Sequence, residues 1–194
     1  MKSAVASLLF VLLVGCNQTD NYVRTFGDSL TAAVDSWAFM MHENDWAVVY
    51  NHARGGLTWR DFTAPDWLHC DHKEQFRRKV LIWLGSNDAL HGNTHDVRPH
   101  MARSLDILTA KRCEVYLVLP PESPPIEWPS DPARWAEVRS QMVETALEYG
   151  IVPHEVVYDW GETVDTLHAT PEQHERVAIQ MSAILELAWR TDES

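Results

Sequence analysis

A single α/β domain, folded as a three-layer α/β/α sandwich around a five-stranded parallel sheet, is what this 194-residue sequence predicts. Three observations point there. Short apolar, β-branched runs recur along the chain, helix-like stretches separate them, and two of those stretches open with a capping residue followed by proline. A chain of this length can bury a sizeable core, and no internal repeat divides it.

Before the domain comes a processing segment. Met1-Lys2-Ser3 carries one positive charge and runs into an apolar stretch from Ala4 to Val14 that is too short to span a bilayer. Leu13-Val14-Gly15-Cys16 resembles the lipobox of bacterial lipoproteins, in which cleavage leaves the cysteine as a lipid-modified first residue. The expected organisation is a signal peptide at 1–15, a tether at 16–21 that begins with lipidated Cys16, the folded domain at 22–190 and a tail at 191–194. Asn17 lacks the aspartate of an inner-membrane retention signal, so export to an outer membrane, periplasmic face, is expected where the cell has two membranes.

Strands are predicted at residues 22–26, 47–50, 80–84, 115–119 and 156–158. Asp131-Pro132 opens a helix to Tyr149, ended by Gly150, with Trp135, Val138, Met142 and Leu147 as its expected core stripe. Thr170-Pro171 opens a second helix to Arg190. The proline-rich run from Pro120 to Pro129 can form neither helix nor strand and reads as a stiff loop directly after the fourth strand.

In open parallel sheets, ligands bind beyond the carboxyl ends of the strands. Those positions hold Gly27-Asp28-Ser29-Leu30 after the first run, Asn51-His52-Ala53-Arg54-Gly55-Gly56 after the second and Gly85-Ser86-Asn87-Asp88 after the third. A loop with Asp165 and His168 follows the fifth. A serine hydroxyl is a weak nucleophile that needs an imidazole to take its proton and a third group to orient that imidazole. One chain supplies all three.

On these four blocks the sequence resembles the SGNH, or GDSL-type, hydrolases, whose blocks contribute serine, glycine, asparagine and histidine in that order. The resemblance covers most of the chain after Cys16 and implies a flavodoxin-like fold and an acyl-ester hydrolase without metal or cofactor. It makes Ser29 the nucleophile, His168 the general base and Asp165 its orienting carboxylate. The backbone N–H groups of Ser29 and Gly56 and the side-chain amide of Asn87 become the oxyanion donors. Gly55 competes with Gly56, and counting from Asn51 favours Gly56. Two departures bear on loop geometry: Ala169 follows His168 where proline is common, and Ser86 stands where a second glycine often does. The Gly-x-Ser-x-Gly elbow of the α/β-hydrolases is not met, since Thr31 lies two residues after Ser29.

Other residues get plainer readings. Of ten histidines, His69 and His72 beside Cys70 and Asp71, and His91 with His95, come closest to a metal grouping, but neither has a convincing second cluster, and no metal is expected. His154 and His174 read as solvated or hydrogen-bonded polar residues. Nine tryptophans mostly mean core; Trp59, Trp128 and Trp160 lie in or beside loops of the expected site and are candidates to wall an acyl chain or stack on a sugar, although simple packing is the plainer reading of each. In an exported protein Cys70 and Cys113 are candidates for a disulfide.

A net charge of −12 repels polyanions, so nucleic acid is not an expected partner. The expected substrates are small-molecule, lipid or glycan esters. Lysophospholipids and other acyl lipids come first and O-acetylated carbohydrates second. Acyl transfer to another alcohol, or a catalytically idle binding protein, are the alternatives.

Overall fold

The computed structural model describes residues 22–33, 35–43, 47–68, 70, 79–90, 95–125, 131–165 and 167–191. Four parallel strands are formed: β1 (Tyr22–Gly27), β2 (Val48–Asn51), β3 (Lys79–Trp83) and β4 (Glu114–Val118). They lie in the order β2-β1-β3-β4, with Thr25 opposite Asn51 on one side and Leu81 on the other. Chain direction through the sheet therefore reverses at β1, and the crevice between the ends of β1 and β3 is the switch point at which such folds bind ligands.

β3 reads as a continuous apolar run because it is buried on both faces. Lys79, Leu81 and Trp83 share one face, where Trp83 meets Trp37 of helix α2 (Trp37–Glu43) and Lys79 reaches the Leu185 carbonyl of the last helix, Pro171–Thr191. On the opposite face Phe26 packs on Phe62, whose carbonyl accepts from Ser104 of the helix Arg98–Ala110. Helix layers thus cover both sides, as the sandwich requires. In chain order the helices are α1 (Ser29–Ala32), α2, α3 (Ser86–Leu90), α4 (Arg98–Ala110), α5 (Pro132–Glu148) and α6 (Pro171–Thr191).

The start of α5 follows its sequence signal: the Asp131 carboxylate accepts the Ala133 N–H at 2.9 Å with Pro132 in the first turn, and Gly150 ends the helix at a φ of 70°. Its core stripe runs Trp135, Val138, Met142 and Ala146, while Leu147 faces outward. Five residues beyond Met142 is about 140° around a helix, off the buried face.

The fifth expected strand, at 156–158, is not a strand among the described residues. The segment touches the sheet through one parallel bridge, Val118 to His154, with backbone bonds from Leu119 to His154 and from His154 to Leu117. Pro153 has no N–H to continue the ladder. Beyond it the backbone is satisfied from α6: the Gln180 side chain accepts from the Val157 N–H and donates to its carbonyl, and Gln173 accepts from Asp159. His154 stacks on Tyr116, and His174 is buried rather than solvated.

Cys70 and Cys113 are joined by a disulfide, with Cα atoms 5.0 Å apart. Cys113 precedes the first residue of β4, so the bridge sits at the amino end of the sheet, away from the strand ends that carry the motifs. Among the described residues no helix is long and apolar enough to cross a membrane. Cys16 lies outside them.

Candidate active site

Ser29 opens α1 straight after β1. The turn is tight: a Cβ on Gly27 would stand 2.9 Å from the Trp83 carbonyl and closer still to Thr31 Oγ1, so strand and helix can meet here only over glycine. Asp28 caps the helix, its Oδ1 accepting the Leu30 N–H at 3.0 Å. Asn51 ties this turn to the second loop. It donates to the Thr31 carbonyl (2.7 Å) and accepts from Thr25 Oγ1 (3.1 Å) and the Ala53 N–H (3.0 Å). The Arg54 N–H then bonds the Gly27 carbonyl, bringing Gly55 to where its Cβ would lie 3.9 Å from Ser29 Cβ.

Gly56 adopts a φ of 74°, with nothing within 4 Å of where a Cβ would be. Glycine is required there by the left-handed backbone, not by crowding. Asn87, buried on α3, donates one amide proton to the Leu57 carbonyl at 3.2 Å and keeps a second. Among the described residues, neither the Ser29 nor the Gly56 N–H donates to another group of the chain.

His168 and Asp165 form a pair. Asp165 Oδ2 stands 2.7 Å from His168 Nδ1, while Oδ1 accepts the backbone N–H of His168 (2.7 Å) and of Leu167 (3.2 Å). Burial pushes the Asp165 carboxyl up, but these bonds outweigh it and hold the group below its ordinary value. The loop is pinned by the Thr163–Ala169 bridge and by Tyr158, whose buried hydroxyl donates to the Leu167 carbonyl at 2.9 Å. The Ser29 hydroxyl and His168 are not hydrogen-bonded to each other in this structure; such contacts often tighten only when substrate binds.

Searches with protein-family profiles and against curated proteins give no match. Solved structures do match. A protein from Desulfitobacterium hafniense assigned to the G-D-S-L family of lipolytic proteins superposes with a TM-score of 0.67 at 17% identity, over 84% of this chain and 99% of that one. The psychrotrophic esterase EstA from Pseudoalteromonas gives 0.61 at 18%, over 87% and 100%. Est24, a carbohydrate acetylesterase from Sinorhizobium meliloti, gives 0.61 at 14%, over 87% and 99%. The chain has the SGNH-hydrolase fold.

Within that fold two of the three candidate tryptophans are packed into the protein. Trp59 is wholly buried, edge-on to Phe62, and presents no wall to a substrate. Trp160 is nearly buried between Tyr158 and Trp135. The indole N–H groups of Trp83, Trp135 and Trp160 donate to the carbonyls of Leu119, Pro121 and Ser123. Three tryptophans thus satisfy alternate carbonyls of the segment that leaves β4 and begins the proline-rich loop. Trp128 lies outside the described residues. Trp67 is exposed, its ring 4.9 Å from that of His52 and facing the Arg24 guanidinium.

Sequence reasoning passed over Asp88. It is fully buried and accepts the Trp59 N–H with both oxygens (3.2 and 3.0 Å), and His95 Nε2 lies 3.0 Å from Oδ1. The contact spans 29 residues, so no local signal shows it. His69, Asp71, His72 and His91 lie outside the described residues; among those described, no group of three or more His, Cys, Asp or Glu could hold a metal ion.

Proposed function

We propose that the chain is a serine esterase that hydrolyses carboxylic esters through an acyl-Ser29 intermediate. The observation that carries this reading is the Asp165–His168 pair, Oδ2 to Nδ1 at 2.7 Å, held on a loop that Tyr158 and the Thr163–Ala169 bridge pin. Ser29 Oγ attacks the ester carbonyl carbon while His168 Nε2 takes the hydroxyl proton, and Asp165 stabilises the imidazolium. The oxyanion accepts from Ser29 N–H, Gly56 N–H and the remaining Asn87 amide proton, donors in place before reaction. As the intermediate collapses, the C–O bond to the alcohol breaks and His168 protonates the leaving oxygen. Water, deprotonated by His168, then attacks the acyl-serine and releases the acid.

Short acyl esters of carbohydrates are the substrate class we favour over long-chain lipid esters. Two of the three rings that were candidates to wall an acyl chain, Trp59 and Trp160, are packed into the protein. A small acyl group needs no such wall, and Est24 and the acetyl xylan esterase AlAXEase, which superposes with a TM-score of 0.63 at 16% identity, are named for acetyl esters. A lipid anchor at Cys16 in the envelope of a bacterial cell, at the periplasmic face of an outer membrane, belongs to the same proposal. It rests on the Leu13–Cys16 sequence and is tested by loss of palmitate labelling in Cys16→Ser.

Fluorophosphonate labelling and a chain-length profile decide the chemistry. Wild-type protein is labelled and Ser29→Ala is not; turnover falls from acetyl to long-chain esters. An unlabelled wild type sinks the esterase, and a rise toward long chains restores the lipid reading.

A further inference from the structure

The Asn87–Asp88 pair on α3 grips the segment after Gly56 twice. Asn87 donates to the Leu57 carbonyl, and Asp88 accepts the Trp59 N–H. Asp88 is itself held by His95, whose own backbone is fixed from α5: Arg134 donates to the His95 carbonyl at 2.6 Å, and Gln141 accepts the Val97 N–H at 3.0 Å. The His95 ring stands edge-on to His100 of α4, 5.6 Å away.

We propose that Asp88 and His95 are positioning residues for the oxyanion site: His95 holds Asp88, Asp88 holds the Trp59 N–H, and the segment carrying Gly56 is thereby locked against Asn87. Neither residue touches the substrate. The role rests on the esterase reading for its catalytic consequence, but the lock itself is a property of the fold. A fully buried carboxylate is unfavourable without partners, and this one accepts the Trp59 N–H and stands 3.0 Å from the His95 imidazole. Burial pushes the Asp88 carboxyl up, and the bonds from Trp59 and His95 oppose it. Losing His95 removes one of the groups that keep Asp88 in place as an acceptor. Oxyanion donors act through placement to within a few tenths of an ångström, so slack in this segment is felt in the transition state rather than in substrate binding.

The test compares wild type, His95→Ala and His95→Gln, the last placing an amide nitrogen near the position of the imidazole Nε2. On a short-chain aryl ester, His95→Ala lowers kcat roughly 10-fold with KM within about twofold, and slows fluorophosphonate labelling of Ser29 in parallel. His95→Gln recovers most of both. If the alanine variant does not fold, His95→Asn, too short to reach Asp88, carries the same expectation. Unchanged kcat in these variants, or a change confined to KM, overturns the proposal. Amide hydrogen exchange at Trp59 reads the lock without any activity: it speeds up in His95→Ala and slows again in His95→Gln. A wild type that neither labels nor turns over sinks the esterase, while exchange at Trp59 still decides the lock.

Discussion

The two oxygens of Asp165 divide their work on one residue: Oδ2 meets the His168 ring nitrogen at 2.7 Å, and Oδ1 accepts the backbone N–H of the same histidine at 2.7 Å. The three-residue spacing makes this possible, because the loop folds back so that side chain and main chain of His168 face one carboxylate. Asp165→Asn keeps the shape but can present an N–H toward Nδ1 and select the wrong tautomer. We expect kcat to fall by about two to four orders of magnitude in Asp165→Asn and in His168→Ala, with unchanged circular dichroism. Steady-state kinetics on a short-chain ester checks both. Retention of a tenth of wild-type turnover in either would remove the pair from the mechanism.

Tyr158 supports this loop from below. Its hydroxyl donates to the carbonyl of Leu167, the residue before His168, and its ring packs edge-on against Trp83 and Trp160. Tyr158→Phe keeps the packing and leaves a buried carbonyl unpaired, so stability should drop by about 1–3 kcal/mol in urea denaturation. Turnover should drop with it at 25 °C, because the loop that carries His168 loses one of the bonds that pin it. A variant as stable and as active as wild type would show that the bond holds nothing.

The disulfide makes the opposite prediction, stability without activity. Cys70–Cys113 closes a separation of 43 residues, and the loop-entropy estimate for that length is about 4 kcal/mol. Cys70→Ser with Cys113→Ser should lower the urea midpoint accordingly. Turnover of the still-folded protein should stay near wild type, since the bridge lies at the amino ends of the strands and the chemistry at the carboxyl ends. A large loss of kcat in folded double variant would mean the two ends of the sheet are coupled.

Much of this was legible from sequence where the signal is local. Strand runs, the Asp131-Pro132 start of α5 and the strand-end motifs all sit within a few residues of the structure they produce. What could not be read depends on partners far along the chain. The expected fifth strand lost its ladder to Gln180 and Gln173 on α6, and nothing in residues 156–158 announces that. Trp59 sits in a loop next to the site, where sequence leaves open whether it packs or meets substrate; its backbone is drawn inward by Asp88 and its ring packs against Phe62. The cysteines were candidates for pairing on grounds of compartment alone, because sequence contains no distance between residues 70 and 113.

Asp28, adjacent to the nucleophile, yields the last prediction. It is wholly buried, Oδ1 caps α1, and Oδ2 makes no hydrogen bond among the described residues. Burial pushes its carboxyl up to about 7; the Leu30 N–H opposes this, the nearby Asp88 charge adds to it, and the Ser86 hydroxyl and His168 favour the anion. Since the folded value lies above the unfolded one, the folded protein holds the extra proton between about pH 4 and 7. Stability from this group is therefore present at low pH and is lost as pH rises through that window, by up to about 4 kcal/mol if the whole shift is realised. Asn at position 28 caps a helix as well as Asp and does not ionise. Asp28→Asn should therefore match wild type at pH 5 more nearly than at pH 8, where it should be the more stable of the two. Urea denaturation of both proteins at the two pH values measures the difference, and a constant gap across the range would mean that Asp28 does not titrate between them.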